Sequence, residues 1–162
     1  MKRRKLTFVT EASMIAALYV VLNVVFGAFG SGAIQLRVAE ALTIMPLFTT
    51  AAIPGLFVGC LIGNFLLGSI LPDVIFGSLA TLIGAIGSYL IGKKKPFLAP
   101  LAPTISNAVI IPLILKFGYA LPLPIPYMML TVGVGELISA GIFGNVLFIA
   151  LKPLRGKIFG RR

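Results

Sequence analysis

Charged residues are missing from most of this chain, and that absence constrains the fold more than any motif does. Two long apolar stretches, residues 6–92 and 96–151, are interrupted only by isolated charges at Glu11, Arg37, Glu40, Asp73, Lys116 and Glu136. Charged residues make up 11% of the sequence, whereas a soluble domain carries about 25%. This number of polar groups is too small to cover the surface of a soluble domain. The sequence therefore predicts an integral membrane protein. A soluble enzyme is therefore excluded, and the 59% hydrophobic content excludes a disordered chain.

The sequence also lacks the residue types from which most catalytic and metal sites are built. It contains no histidine and a single cysteine, Cys60, which lies inside an apolar run. This excludes an intrachain disulfide, a histidine proton relay and a cysteine or histidine metal site. With only four carboxylates, an all-oxygen metal cage is not expected either. We predict no catalytic residue, no metal and no cofactor.

The basic residues are bunched, and their positions predict the membrane topology. All but two of the 14 lie in three clusters: Lys2–Lys5, Lys93–Lys95, and the group Lys152, Arg155, Lys157, Arg161 and Arg162. Clusters at the ends of apolar stretches follow the positive-inside rule, which favours cytoplasmic loops over a nucleic-acid groove. If all three clusters are cytoplasmic, an even number of spans separates each pair, and six spans fit the available lengths. We therefore predict an all-α domain over residues 1–162 in the cell membrane, with six transmembrane helices and both termini in the cytoplasm.

Glycine and proline mark the expected span boundaries. We place the spans at about residues 7–29, 36–49, 52–68, 72–92, 99–118 and 126–151. Pro54 suits the first turn of the third span, and Pro122, Pro124 and Pro126 stiffen the outer loop before the sixth. The basic start also fits a cleaved signal peptide, but the first apolar stretch is long for one, so we expect a retained span.

Small residues four positions apart indicate where helices touch. Gly55, Gly59 and Gly63 share one face of the third span, which favours packing inside the bundle. A similar row, Ala80, Gly84, Ser88 and Gly92, occupies one face of the fourth span. Ala12 and Ala16 lie on the first span, where a flat patch could instead receive another subunit. Spacing alone leaves both readings of these two alanines open.

Glu136 is the polar residue that the membrane tolerates least. It lies about ten residues into the sixth span, too deep to reach water or a basic cluster, where a charge costs roughly 2.5–3.5 kcal/mol. We predict a ligand or transport role, and the alternative is a protonated carboxyl bonded within the bundle. Asn107 lies at a similar depth on the antiparallel fifth span, so the two side chains are expected to share a cavity.

Other polar residues gather in the outer half of the predicted spans. Asp73 also suits a helix N-terminus, Arg37 and Glu40 are spaced to pair with each other, and Asn145 suits a contact between helices. This distribution predicts an outward-facing cavity for a small ligand rich in N–H donors, lined by Gln35, Arg37, Glu40, Asn64, Asp73, Tyr127 and Glu136. No phosphate-binding Gly-x-x-x-x-Gly-Lys-Ser/Thr motif and no nucleophile–base pair occur, so neither ATP hydrolysis nor another enzymatic activity is expected.

Several stretches resemble the queuosine-precursor transporter (QueT) family. They are residues 34–43, residues 52–57, residues 73–82 and residues 133–145, and the resemblance extends along essentially the whole chain. It implies the substrate-binding S component of an energy-coupling-factor (ECF) transporter, a six-helix membrane domain. Such a component works with a transmembrane T component and two cytoplasmic ATPases, and topples in the membrane to release its substrate inside. An Ala-x-x-x-Ala patch on the first helix meets the T component in that family, and Ala12 and Ala16 match this pattern.

The resemblance also implies a 7-deazaguanine base as the ligand. A carboxylate accepts the ring N–H and exocyclic NH₂ of a guanine-like edge together, and Glu136 is our first choice for this role. Asp73 or Glu40 would face an aminomethyl cation, and Asn107, Asn64, Gln35 and Arg37 would read the remaining edge atoms. Two alternatives stay open: an S component for another vitamin-like ligand, and a stand-alone ion-coupled carrier that uses Glu136.

Overall fold

The computed structural model describes residues 2–27 and 36–158, and all regular structure in these two segments is helical. Six helices correspond in order to the six predicted spans. They are α1 (Lys2–Phe26), α2 (Val38–Leu47), α3 (Ala52–Leu66), α4 (Asp73–Gly92), α5 (Pro96–Gly118) and α6 (Ile125–Leu154), followed by the short α7 (Arg155–Ile158). The helix ends differ from the predicted ones by a few residues.

Four of these helices are long and apolar enough to cross a membrane, namely α1, α4, α5 and α6. The other two, α2 and α3, are apolar but shorter, with 10 and 15 residues. Large apolar side chains cover the outside of the bundle, for example Leu6 and Phe117, which are 72% and 78% exposed. Such a surface is stable in lipid and not in water.

The short helix α2 lies at the centre of the bundle. Its residues Ala39–Pro46 are buried, and it packs against α1, α3, α4 and α6. It is a 3₁₀ helix, which rises about 2.0 Å per residue, so its ten residues cover about 20 Å. Arg37, just before α2, contacts Asp73 at the start of α4. Leu47, at its end, lies against Gly92 at the end of α4. These contacts show that α2 runs alongside nearly the full length of α4.

Glycines let α3 approach α1 closely, as the spacing predicts. A Cβ on Gly55 would lie 2.6 Å from the carbonyl oxygen of Ala12, and one on Gly59 would lie 2.9 Å from that of Ala16. Further along the same face, a Cβ on Gly63 would lie 2.6 Å from the Asn23 side chain. Any larger residue would force the helices apart, so these glycines pack the bundle internally.

The small residues of α4 make the corresponding contact with α5. A Cβ on Gly84 would lie 2.7 Å from Cα of Pro103, and Ser88 Oγ donates to the carbonyl oxygen of Ala99 at 3.1 Å. Ser106 of α5 donates back to the carbonyl oxygen of Ala80 at 3.0 Å. The prediction that this face packs internally is confirmed.

Three helices contain π-helical segments, and two of the three lie beside an acidic residue. They cover Asp73–Gly77 at the start of α4, Ile114–Gly118 at the end of α5 and Leu137–Phe143 in α6. The last segment begins directly after Glu136 and packs against α2. A π turn widens a helix locally and is frequent at functional sites. Asp73 and Glu136, which lie next to two of these segments, are therefore candidates for a functional site.

Candidate functional site

A connected group of buried polar side chains occupies the interior between α1, α2, α3, α4, α5 and α6. We call it the polar cluster, and it consists of Tyr19, Arg37, Glu40, Cys60, Asn64, Asp73, Thr81, Asn107 and Glu136. Six of these nine residues are predicted ligand residues. The cluster contains three of the four carboxyl groups of the chain and a single guanidinium.

Glu136 and Asn107 are in direct contact, as their similar predicted depth on antiparallel spans indicates. Asn107 Nδ2 donates to Glu136 Oε1 at 2.8 Å, and the two residues are 3% and 2% exposed. The bond joins the middle of α5 to the end of the α-helical part of α6. Glu40 also lies close to Asn107. The Asn107 amide is therefore bonded to Glu136 and near Glu40.

Glu40 is the second buried carboxylate, and it lies on the central helix α2 with no exposed surface. Its Oε1 accepts hydrogen bonds from the hydroxyl groups of Tyr19 on α1 and Thr81 on α4, the latter at 3.2 Å. Thr81 also contacts Cys60 Sγ at 3.4 Å. Glu40 is thus the point where α1, α2 and α4 are joined by side-chain hydrogen bonds.

The second oxygens of both glutamates lack a partner among the described residues. Glu40 Oε2 and Glu136 Oε2 are buried without a hydrogen bond, and so is Ser139 Oγ, three residues after Glu136. An unsatisfied buried polar group costs roughly 1–3 kcal/mol, and more if it is charged. Each of these three oxygens has a free lone pair that can accept a hydrogen bond.

Asp73 holds the outer part of the cluster together at the start of α4. Its Oδ1 lies 3.9 Å from Arg37 Nη2, and its Oδ2 accepts a hydrogen bond from the Tyr119 hydroxyl at 3.0 Å. The Asn64 amide lies 3.5 Å from the Asp73 carbonyl oxygen and 3.6 Å from Cys60 Sγ. Asn64 thereby connects this outer part to the glutamate part of the cluster.

Arg37 pairs with Asp73 and not with Glu40, which corrects the pairing suggested by their spacing in the sequence. That pairing assumed that Arg37 lies on a helix, three residues before Glu40. The backbone of Arg37 is extended, with φ −101° and ψ 95°, so the helical spacing rule does not apply.

The Tyr119 phenol remains a donor at neutral pH. Partial burial raises its pKa above the usual value of 10.0, and the nearby Asp73 carboxylate raises it further. The Tyr119 hydroxyl also accepts a hydrogen bond from the backbone N–H of Ile70, at 3.4 Å. The loop before α4 is thereby attached to the end of α5.

Two predicted ligand residues are not placed in the polar cluster. Tyr127 is 49% exposed at the start of α6, nine residues before Glu136, which is roughly 13 Å along a helix axis. Gln35 lies outside the described residues. Asn145, which we expected to join helices, donates to the carbonyl oxygen of Phe97 on α5 at 3.4 Å.

The backbones of Ala12 and Ala16 lie against Gly55 and Gly59 of α3. Ala16 is 8% exposed, and Ala12 is half-buried. Both alanines therefore contact α3, and their contact with a T component stays a prediction. Ser13 and Ala17, also four apart, are exposed about 100° further round α1.

Sequence reasoning missed Tyr19, Cys60 and Thr81. For Tyr19 a signal was available, because residues 12, 16, 19 and 23 follow the spacing of one helix face, and that face turns polar at Tyr19 and Asn23. Asn23 Nδ2 lies 3.4 Å from Asn64 Oδ1, so α1 contacts the cluster at two points. Thr81 and Cys60 carried no signal, because small polar residues are common in helix packing. No group of three or more potential metal ligands occurs in the described part of the chain.

Comparison with known proteins connects this site to a transporter family. A protein of Lactococcus lactis subsp. cremoris (strain MG1363), named Queuosine precursor transporter QueT, is 39% identical over 85 residues. That alignment covers 51% of this chain and 50% of the relative, so the chain spans about half the length of the curated protein it matches. No solved structure matches the chain. A family model described as QueT transporter matches residues 9–153. With this match over nearly all of an apolar, all-helical bundle, the chain belongs to the QueT transporter family.

Proposed function

We propose that this chain is the substrate-binding S component of an ECF-type transporter. It captures a queuosine precursor, a 7-deazaguanine base, from outside the cell and passes it to the cytoplasm with an ATP-driven partner module. The family match, the name of the relative and the buried polar cluster support this proposal. The observation that carries it is the pair Glu40 and Glu136, each with a buried carboxylate oxygen that has no partner.

The proposal includes one domain with six membrane crossings and both termini in the cytoplasm. Its support is that α2 runs alongside α4, from Arg37 near Asp73 to Leu47 at Gly92, although α2 is too short for an ordinary transmembrane α-helix. Residues of the second and third basic clusters, Lys93 and Arg155, line the same cavity at one end of the bundle. The positive-inside rule then assigns that end to the cytoplasm.

In this proposal the polar cluster reads a guanine-like edge. Glu136 Oε2 accepts one of the two adjacent donors, the ring N–H and the exocyclic NH₂, and Oε1 accepts the other beside its 2.8 Å bond from Asn107. Glu40 Oε2 receives a further N–H or a cationic substituent. The Arg37 guanidinium forms an ion pair with Asp73. In this proposal it also donates a hydrogen bond to the carbonyl oxygen of the ligand.

The chain needs partners for transport, because it lacks a nucleotide-binding motif. We assign ATP hydrolysis to two cytoplasmic ATPases and the membrane contact to a T component. On α1 we assign this contact to the Ala12 and Ala16 patch, which borders α3 and is flanked by the exposed Ser13 and Ala17. Small residues four apart permit close contact with another helix.

Ligand binding tests the substrate part of the proposal. Isotherms are measured for the purified chain in detergent with 7-deazaguanine bases, guanine and a panel of vitamins. Tight binding of a deazaguanine, with weak binding of the vitamins, is the expected result. Preference for a vitamin would support the alternative of an S component with another ligand.

Uptake into liposomes tests the transport part. Transport that requires ATP and the partner subunits is expected for an S component. Uptake by this chain alone, driven by an ion gradient, would overturn the proposal in favour of a stand-alone carrier. The unpaired carboxylate oxygens of Glu40 and Glu136 would then be the sites of ion or proton exchange.

A further inference from the structure

A cavity at the basic end of the bundle plays no part in the proposed transport site. It has a volume of about 520 Å³, which is within the range of small-molecule sites, about 300–1,000 Å³. It lies between the end of α2, the end of α4, the start of α5 and the end of α6. Its lining comprises Pro46–Thr50, Tyr89, Gly92, Lys93, Pro96, Phe148 and Arg155.

The floor of this cavity contains two buried phenylalanines, Phe48 and Phe148. The rings of Phe48 and Phe148 have centroids 5.6 Å apart, and Phe97 meets Phe148 edge to face, also at 5.6 Å. Phe48 and Phe148 are 6% and 7% exposed. Aromatic rings at these distances stabilise one another, so this part of the lining is apolar and closely packed.

Two cations from distant parts of the sequence stand at the rim of the cavity. Lys93 follows α4, and its Nζ lies 4.2 Å above the centre of the Tyr89 ring, which holds the ammonium group at the rim. Arg155 follows α6 and faces the same space. One carboxylate, that of Glu11, accepts a hydrogen bond from the lining residue Thr49 at 2.5 Å. The rim therefore carries more positive than negative charge.

We propose that this cavity binds one anionic phospholipid, with the headgroup phosphate between Lys93 and Arg155. Basic pockets between transmembrane helices, at the depth of the headgroups, are typical sites for such lipids. A lipid fits better than a free anion, because the floor is aromatic and the rim continues into apolar surface. Phe97 and Leu154, each next to a lining residue in the sequence, are 57% and 40% exposed and offer that surface to acyl chains.

Native mass spectrometry tests the proposal on the full chain. The protein is released from micelles doped with phosphatidylglycerol or with phosphatidylcholine, and bound lipids are counted. Retention of one phosphatidylglycerol per chain, and of no phosphatidylcholine, is expected. Each cation near a membrane surface adds about 1 kcal/mol of attraction, so the double variant Lys93→Gln/Arg155→Gln should bind phosphatidylglycerol about thirtyfold more weakly.

A matched control removes the same charge from the same two basic clusters. Lys94→Gln/Lys152→Gln changes two exposed cations that do not line the cavity, and should keep the bound lipid. Thermal unfolding in phosphatidylcholine micelles should be the same for both double variants, because all four side chains are exposed.

Three results would overturn the proposal. Equal weakening by both double variants would mean diffuse attraction to the surface. Equally tight binding of glycerol phosphate in lipid-free detergent would mean a site for free anions. Retention of phosphatidylcholine as strongly as phosphatidylglycerol would mean an apolar groove without headgroup recognition. None of these results depends on the transported substrate.

Discussion

Replacing Glu136 with glutamine tests the proposed ligand contact with almost no change of shape. Glu136 Oε1 accepts from Asn107 at 2.8 Å, and Oε2 is buried without a partner. The glutamine carbonyl oxygen keeps the bond to Asn107, which puts its NH₂ group at the place of Oε2. If a ligand N–H points there, a donor then faces a donor.

The size of the effect follows from the two groups that lose their partner, the ligand N–H and the new amide. Each buried unsatisfied group costs roughly 1–3 kcal/mol. A total of roughly 2–6 kcal/mol raises Kd by about thirtyfold at the least. The variant should remain folded, because the substitution removes a carboxylate that is costly to bury.

Calorimetric titration of the purified chain with a 7-deazaguanine base measures this change. Glu11→Gln is the matched control, because Glu11 bonds to Thr49, outside the polar cluster, and its substitution should leave Kd unchanged. A folded Glu136→Gln protein with the Kd of the unsubstituted chain would refute the assignment. Glu136 would then be structural, and another carboxylate would read the base.

Four further changes test other parts of the structure. Asn107→Ala should weaken ligand binding less than Glu136→Gln, because water can enter the small space and satisfy the abandoned atoms; a larger loss would make Asn107 the main ligand contact. Tyr19→Phe removes a buried donor to Glu40 and should lower the free energy of unfolding by roughly 1–3 kcal/mol, measured as a lower Tm. Gly59→Ala places a Cβ 2.8 Å from α1 and should also lower Tm, whereas Gly133→Ala, whose Cβ would have 3.6 Å of room, should not. Lys94→Cys should resist a membrane-impermeant maleimide added to intact cells, and rapid labelling there would contradict the proposed topology.

The positions of the helices could be predicted because they depend on local properties of the sequence. Apolar length, basic clusters and the glycines and prolines between spans are enough to place all six helices to within a few residues. The contact of Gly55 and Gly59 with a neighbouring helix was equally predictable, because in lipid small residues are the main signal for close packing.

Side-chain contacts between helices were harder to predict. They depend on how far each helix is rotated about its own axis, which the sequence alone does not give. Glu136 and Asn107 were matched by depth alone, since both are expensive to bury and lie on antiparallel spans. The partner of Arg37 was not, because it required knowing that the chain is extended before α2. Ala12 and Ala16 illustrate the same limit: a small-residue pair predicts a close contact, but not which neighbour makes it.

The central position of Glu40 has a consequence for how the protein assembles in the membrane. The hydroxyl groups that bond to Glu40 belong to α1 and α4, and the amide that bonds to Glu136 belongs to α5. Glu136 itself arrives with α6, the last of the long helices. During synthesis the hydrogen-bond partners of the buried carboxyl groups are therefore added one helix at a time. A chain that stops before α6 has Glu40 but lacks Glu136 and the contacts of α6 with α2. The polar cluster, the proposed binding site, is therefore complete only when the bundle is complete.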